Sequence, residues 1–247
     1  MLTFAALSDL HNIYGHLPQL KQKFPEALWL ITGDITDNGF DVEYSKARAA
    51  LAVLGFYLCV PGNHDYGRMG NFYNSAAADR FDDTLTEHWK GQKFKHNKPA
   101  IKLTDNGSEK VCIIGLNSNL KTILPFDFAC GRIGLKQRLW LWWYLHKYRD
   151  YVKIIILHHH PFMHTNPFMW LQDSEKFMKL IASKVDVLLF GHRHRFESKE
   201  RQAARYRIKH ILASGSPKEK YPNNKFWLLR IEGKDVYIDP QSINGKM

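Results

Sequence analysis

Cysteine is scarce in this chain: three residues in 247, Cys59, Cys112 and Cys130, with no Cys-x-x-Cys pair. That spacing excludes a disulfide scaffold, a thiolate zinc site and an iron–sulfur cluster. Two of the three lie in apolar, strand-like runs and read as reduced, buried thiols. No apolar run approaches the roughly 20 residues that a bilayer demands, so the expectation is a chain that does not span a membrane. The opening Met1, Leu2, Thr3 and Phe4 reach charged Asp9 without the basic start, apolar stretch and cleavage site of a secretory signal. A cytoplasmic location is the expectation. Acidic residues are also short, 24 against 35 Lys and Arg, and the net charge of +11 draws anionic partners of every kind without choosing among them. Internal repeats, linkers and low-complexity segments are missing. With 45% hydrophobic and 24% charged residues the composition is that of an ordinary globular protein, and the length suits a single domain over residues 1–247.

What is present is a series of short apolar runs, each stopped by polar residues. Residues 2–7 end at Ser8-Asp9-Leu10-His11-Asn12, residues 27–31 at Thr32-Gly33-Asp34, and residues 56–60 at Pro61-Gly62-Asn63-His64-Asp65. Residues 18–24 read as a helix, which gives a strand, helix, strand unit of the kind that builds parallel sheets. Helical apolar spacing returns over residues 41–54, where Gly55 stops it. Residues 66–98 are poorly periodic, polar and aromatic, and read as an insertion. Residues 100–103 and 111–117 pair across a turn holding Asn106-Gly107, a strong hairpin signal. Further on, helices are expected at 135–149 and 174–183 and strands at 153–157 and 185–190. A β-rich tail is expected at 206–213, 226–231 and 236–238. The class is α/β.

Each run thus ends in residues that offer oxygen or imidazole nitrogen. They are Asp9 and His11, Asp34, Asn63 with His64, the His158-His159-His160 run before Pro161, and His192 with His194. Taken singly, each is ordinary turn chemistry. Five together are not, because ligands of open α/β sheets gather in the crevice beyond the carboxyl ends of the strands, where five such loops would converge. Mixed carboxylate and imidazole donors suit divalent Mn, Fe, Co, Zn or Ni. On an extended segment residues two apart share a face, which would aim Asp9 with His11, and His192 with His194, to the same side. Six or seven donors exceed what one tetrahedral ion takes and suit two ions roughly 3.5–4 Å apart that share a carboxylate.

In order, these motifs resemble the signature of the calcineurin-like metallophosphoesterases: Asp-x-His, Gly-Asp, Gly-Asn-His-Asp or Glu, His, and Gly-His-x-His. The match runs from Asp9 to His194. The resemblance implies a four-layer αββα sandwich of two mixed β-sheets flanked by helices. It implies that Asp9, His11 and His194 hold a first divalent cation, that Asn63, His159 and His192 hold a second, and that Asp34 bridges the two. His159 is preferred in the fourth motif because the family's ligand stands two residues before the proline; His158 is the alternative. His64 then faces the phosphate as charge stabiliser or acid, with Asp65 orienting its ring, and water activated between the cations attacks phosphorus in line. Residues 35–39 lack the Asp-Arg-Gly of Ser/Thr protein phosphatases, and Asp65 stands where those have Glu. With the CGRIGLKQRLWL stretch at residues 130–141, this is similar to the class III cyclic-nucleotide phosphodiesterase and glycerophosphodiesterase branch, which implies a small phosphate-ester substrate with diesters favoured.

Three features bear on partners. Phe162, Met163, Phe168, Met169 and Trp170 follow the fourth motif and would either overhang the site or anchor their own loop. The helix at 135–149 carries Leu135, Leu139, Trp142 and Leu145 as its expected core stripe, while Trp140, Trp143 and Tyr144 widen the apolar arc beyond the usual ~100°. The insertion, a second subunit of a homo-oligomer or a peripheral membrane contact could cover that excess. The basic run from Arg193 and Arg195 through Lys199, Arg201, Arg205 and Arg207 to Lys209 reads as a solvated hairpin face, and it keeps nucleic acid open as a partner. The alternatives to a small-molecule phosphodiesterase are a nuclease of the same superfamily, a hydrolase of lipid-linked phosphate or pyrophosphate at a membrane surface, and a non-catalytic scaffold. A scaffold has no need of the full donor set.

Overall fold

Short runs of Ile, Val and Leu become strands here because branched side chains fill both faces of a sheet that is covered on each side. The computed structural model describes residues 1–121, 129–162, 169–218 and 224–243. Among them the order is β1 (Leu2–Leu7), α1 (Leu17–Lys23), β2 (Leu28–Ile31), α2 (Asp41–Leu51), β3 (Tyr57–Cys59), α3 (Asn63–Tyr66), β4 (Gly67–Arg68), β5 (Phe72–Tyr73), α4 (Ser75–Thr84), β6 (Ala100–Asp105), β7 (Lys110–Gly115), α5 (Gly134–Lys147), β8 (Val152–Ile156), α6 (Ser174–Ile181), β9 (Val187–Phe190), β10 (Glu197–Ser198), α7 (Glu200–Tyr206), β11 (His210–Ala213), β12 (Lys225–Glu232) and β13 (Asp235–Ser242). One sheet runs β13-β12-β1-β2-β3 and the other β10-β11-β9-β8-β7-β6, with β4 and β5 a separate hairpin. β1, β2 and β3 are parallel, as are β7, β8, β9 and β11, with antiparallel strands at the margins. Both sheets are mixed, and helices flank them.

Alternation along the strands assigns the layers. In β8, Val152, Ile154 and Ile156 join a buried cluster that also draws on β1, β2, β3, β12, α1 and α2. Ile155 and Leu157 join a second cluster with α5, α6 and α7. The first cluster unites the two sheets, and the second seats helices on the outer face of the β8 sheet. Deleting a side chain such as Ile154, wholly buried in the first cluster, is worth about 2–5 kcal/mol. All three cysteines are buried and free of disulfides.

The segment at 66–98 is packed, not appended. Phe81, Trp89 and Phe94 are wholly buried in the first cluster, and Trp89 Nε1 donates to Cys59 O at the end of β3, at 2.8 Å. The segment lies over β3 and leaves α5 largely uncovered, meeting it through Lys98, whose Nζ stands 4.2 Å from the Trp140 ring centre.

Two expectations need correction. The basic run is not a hairpin face: Glu200–Tyr206 forms helix α7, and the following strand starts only at His210. Helix α5 is also rotated from its expected seating. Its buried face is Gln137, Leu141, Tyr144 and Leu145, whereas Leu135, Leu139 and Trp142 are 63%, 61% and 52% exposed. The reason is polar. The Gln137 amide accepts from Asn117 N and donates to Asn117 O and Ile133 O, which locks that face onto the end of β7. Among the described residues no helix is long and apolar enough to cross a membrane.

Candidate metal centre

β1, β2 and β3 of one sheet and β8 and β9 of the other send their following loops to a common edge, where the chain must turn sharply to aim short side chains inward. Asp9, His11, Asp34, His192 and His194 have φ of 53°, 47°, 51°, 76° and 54°. This left-handed region penalises most residues and is tolerated best by Asn, Asp and His among those with a side chain. The expected extended Asp-x-His is therefore replaced by left-handed turns, and the turn rather than the pleat directs the donors. Asp9 N donates to Gly33 O at 3.0 Å, His11 N to Asp34 O at 2.9 Å, and His192 N to Asp9 Oδ1 at 3.1 Å, so each motif props the next. Glycine is required where the loops touch. A Cβ on Gly62 would stand 2.9 Å from Asp34 Cγ, and one on Gly191 2.6 Å from Asp9 Oδ2.

Three groups of donors result, two of them sharing Asp34 and a third made of His11, Asp37 and His64. Asp9, His11, Asp34 and His194 each bring one donor atom within 4.8 Å of the others, and so do Asp34, His158 and His192. In the first group His11 Nε2 lies 2.9 Å from His194 Nε2 and 3.6 Å from Asp34 Oδ2, and His194 Nε2 lies 3.3 Å from Asp9 Oδ1. In the second, His158 Nε2 is 3.2 Å from Asp34 Oδ2, 3.0 Å from Asn63 Oδ1 and 3.1 Å from His192 Nδ1. His192 Nδ1 is itself 3.1 Å from Asn63 Oδ1. The Asn63 amide nitrogen donates to Gly70 O at 3.1 Å, which turns Oδ1 toward the imidazoles. Asp34 Oδ2 faces both of the groups that share it.

The electrostatics ask for positive charge. Asp9 and Asp34 are fully buried, and among the described residues their ion partners are histidines, never Lys or Arg. Burial pushes the Asp34 carboxyl up, but the His158, His64 and His11 imidazoles overcome it and hold it well below the usual carboxylate range. Asp9 is lowered in the same way, burial opposing and His194 prevailing. Burial would lower His158, yet Asp34 and Asp9 raise it to about 9. His192, buried beside His158, falls to about 3. Two carboxylates held ionised out of water, ringed by imidazole nitrogens, are a donor set that fits divalent cations.

The fourth motif departs from expectation. His159 Nδ1 sits 2.8 Å from Ser118 Oγ, and its ring lies against Gly131, where a Cβ would stand 2.7 Å from His159 Cδ2. The nitrogen that meets Asp34, Asn63 and His192 directly is His158 Nε2, while the His159 ring lies against that of His192, ring centres 4.6 Å apart, with its Nε2 buried and without a hydrogen-bond partner. Strand alternation explains it, since Val152, Ile154 and Ile156 face the space between the sheets and His158 continues that series. The role expected of Asp65 is also corrected. His64 Nδ1 is held by Asp37 O at 2.9 Å, and its ring meets His11 edge-on at 4.7 Å. The buried Asp65 carboxylate instead accepts from Thr36 N, Thr36 Oγ and Gly62 N at 2.8, 3.1 and 2.9 Å. It ties the second motif to the third and caps α3. Burial, together with the charge on Asp34, pushes it up to about 6.

Sequence reasoning missed Asp37. Its Oδ1 is 2.7 Å from His11 Nδ1, and its Oδ2 accepts from Asn12 Nδ2 at 3.1 Å. A carboxylate behind an imidazole fixes the tautomer and presents the other nitrogen. The second acid of Gly33-Asp34-Ile35-Thr36-Asp37 was the available signal. Of the aromatic loop, Phe162 stacks on Tyr206 with ring centres 6.3 Å apart and Trp170 is 36% exposed; Met163 and Phe168 lie outside the described residues.

The donor order and the two-sheet seam can be set against known proteins. A model of the family described as calcineurin-like phosphoesterase matches residues 2–196. The chain belongs to that family. Family members are metal-dependent, and the clustered Asp and His groups here could bind metal. A relative from Arcobacter nitrofigilis, described as a probable glycerophosphodiester phosphodiesterase GpdQ, is 29% identical over 195 residues, 75% of this chain and 62% of its own. The chain thus spans less than two thirds of that relative. Among solved structures, a purple acid phosphatase from yellow lupin (Lupinus luteus) seeds superposes with a TM-score of 0.66 at 11% identity, over 99% of this chain and 52% of its own. A phosphopantetheinyl hydrolase from Mycobacterium tuberculosis gives 0.55 at 14% identity, over 88% and 90%. These two likenesses establish the metallophosphoesterase fold.

Proposed function

We propose that this phosphoesterase is a binuclear metal-dependent phosphodiesterase acting on small phosphodiesters of the glycerophosphodiester class. The observation that carries the reading is Asp34 Oδ2, which stands 3.6 Å from His11 Nε2 in one donor group and 3.2 Å from His158 Nε2 in the other. One carboxylate serving two donor sets is what a pair of adjacent cations needs. The glycerophosphodiester class is supported by the Arcobacter relative. Beside Asn63 a narrow recess with room for about one water molecule gathers the polar groups of Asn71, Asn119, Tyr66 and Tyr73 at the edge of the second donor group.

In this reading Asp9, His11 and His194 hold one cation, Asn63, His158 and His192 hold the other, and Asp34 spans both. Bound there, two divalent ions supply Lewis acidity toward phosphoryl oxygens and lower the pKa of water. The chain's own groups set the geometry. His158 Nδ1 lies 2.8 Å from Thr32 O; a carbonyl only accepts, so Nδ1 carries the hydrogen and Nε2 is the donor atom. Asp37 fixes His11 in the same sense. His64 Nδ1 donates to Asp37 O, which leaves Nε2 to hold a proton beside the leaving oxygen. Asp65 keeps the loops that bear Asp34 and Asn63 in register.

The test is hydrolysis of bis-p-nitrophenyl phosphate and glycerophosphoethanolamine, against p-nitrophenyl phosphate, by chelator-treated protein supplied with Mn²⁺, Co²⁺, Zn²⁺ or Fe²⁺. Both diesters are expected to turn over with added metal and faster than the monoester. A protein that cleaves neither diester under any of these ions overturns the proposal. Salt-sensitive cleavage of single-stranded DNA, with the small diesters untouched, would move the activity to a nuclease.

A further inference from the structure

Helix α5 presents outward the residues that its sequence would have put in a core. Leu135, Leu139 and Trp142 recur at helical spacing on the solvent side, with Trp143 beside them at 42% exposure. Leu135, Leu139 and Trp143, together with Lys136 and Trp140, line a shallow depression that no described residue fills. An apolar face of this kind on a water-exposed helix marks an interaction surface.

Its charge says what kind. Residues 134–147 contain no Asp or Glu. Lys98 and Lys147 lay their ammonium groups 4.2 and 4.7 Å from the ring centres of Trp140 and Trp143, so cations border the aromatic patch. At the C-terminal end the His146 ring packs on Trp142 at 4.4 Å. His146 also borders a cleft lined by Arg149, Lys184, Arg207 and Lys209, with Asp186 its one acidic lining residue. Lys209 already pairs with Asp186 at 3.2 Å, so the remaining cations of the cleft are in excess. A two-fold contact between copies would set this acid-free, lysine-rimmed face against itself, and like charges across an interface are costly. An anionic surface meets it with complementary charge and takes up the leucines and tryptophans as well.

We propose that α5 docks the protein on an anionic phospholipid bilayer, lying in the interface plane. Leu135, Leu139, Trp142 and Trp143 enter the boundary between headgroups and acyl chains, while Lys98, Lys136, Lys147 and the basic cleft engage lipid phosphates. This is the arrangement of an interfacial helix: an apolar face with Trp at headgroup depth and basic side chains around it. The helix does not span the bilayer, and the docking is reversible and weakened by salt.

The test uses the full chain with sucrose-loaded vesicles of phosphatidylcholine, with or without one quarter phosphatidylglycerol, at low and at physiological salt. Co-sedimentation with the anionic vesicles and a blue shift of tryptophan emission are expected, with little binding to pure phosphatidylcholine. Leu139→Glu with Trp142→Glu should lower the partition coefficient at least about tenfold, because each lost apolar insertion is worth about that much. Circular dichroism and bis-p-nitrophenyl phosphate hydrolysis should be unchanged. Lys136→Glu with Lys147→Glu, both at exposed positions, should weaken binding to the anionic vesicles alone. Failure of the native chain to bind anionic vesicles, or binding by the Leu139→Glu, Trp142→Glu double variant equal to that of the native chain, overturns the proposal. So does a native dimer in light scattering that the same double substitution splits, since the face would then belong to a second copy.

Discussion

Two adjacent histidines with opposite surroundings offer a sharp mutational contrast. Asparagine is the informative substitute, because its amide reaches the position of an imidazole Nδ1 but falls short of Nε2. In His158→Asn the bond to Thr32 O, now 2.8 Å from Nδ1, can be kept, while the atom that reaches Asp34, Asn63 and His192 is lost. On the binuclear reading proposed above, one of the two cations should go with it. A cation contributes several kcal/mol of transition-state stabilisation, and each 1.36 kcal/mol is tenfold in rate, so kcat should fall roughly 10²- to 10³-fold. In His159→Asn the amide stands in for the nitrogen that meets Ser118 Oγ. The cost there is the space left where the wholly buried ring packed against Gly131 and His192, on the order of 2 kcal/mol, or about 4–8 °C in Tm for a domain of this size. Turnover should stay within about threefold. Elemental analysis of each variant, metal-loaded and desalted, counts the ions, and steady-state diester hydrolysis gives the rates. Two ions retained in His158→Asn, with one lost from His159→Asn, would refute the placement.

Asp37→Asn keeps the size but removes the charge behind His11; metal affinity at the first donor group should drop about 10- to 100-fold, measured by competition with a chromogenic chelator, with the fold intact by circular dichroism. Gly62→Ala drives a Cβ into the Asp34 carboxylate, so the purified variant should bind less than one cation per chain, whereas Gly107→Ala, in open space on the hairpin turn, should bind the native complement. His16, buried at the start of α1, is lowered by burial from 6.5 to about 4. It stays neutral in the fold while the unfolded chain takes up a proton below 6.5, so stability is full above that pH and is lost as pH falls toward 4. At about 1.36 kcal/mol per pH unit this amounts to on the order of 3 kcal/mol. Urea melts of the native chain and His16→Gln at pH 7.5 and 4.5 should show a smaller acid loss in the variant; equal losses would remove His16 from the account.

Much of the site could be read from the chain because its logic is local and repeated: a branched apolar run, then a turn rich in Asp, His and Asn. Those turns do meet at one edge. What could not be read depends on orientation. The choice between His158 and His159 lay in the alternation of β8, which assigns Val152, Ile154 and Ile156 to the space between the sheets and so favours the first histidine; counting back from Pro161 favoured the second. Helix α5 is apolar nearly all round, and periodicity could not tell that one buried amide, Gln137, would choose its inner face. The roles of Asp65 and Asp37 could not be read because each carboxylate depends on a partner far along the chain, Thr36 for Asp65 and His11 for Asp37. The basic run was misread because α7 is short and its burial rests largely on Ala203.

The donor cluster draws on both sheets, with Asp9, Asp34 and Asn63 carried by one and His158 and His192 by the other. The distance between the halves of the cluster is therefore set by how the two sheets lie against each other, far below the cluster itself. Side chains deep in that seam, such as Leu30 or Ile156, act as spacers. Trimming one by a single methylene should alter the spacing of the proposed centre before it changes whether the protein folds, so its preference among cations of different radius should respond to the interior as well as to the donors themselves.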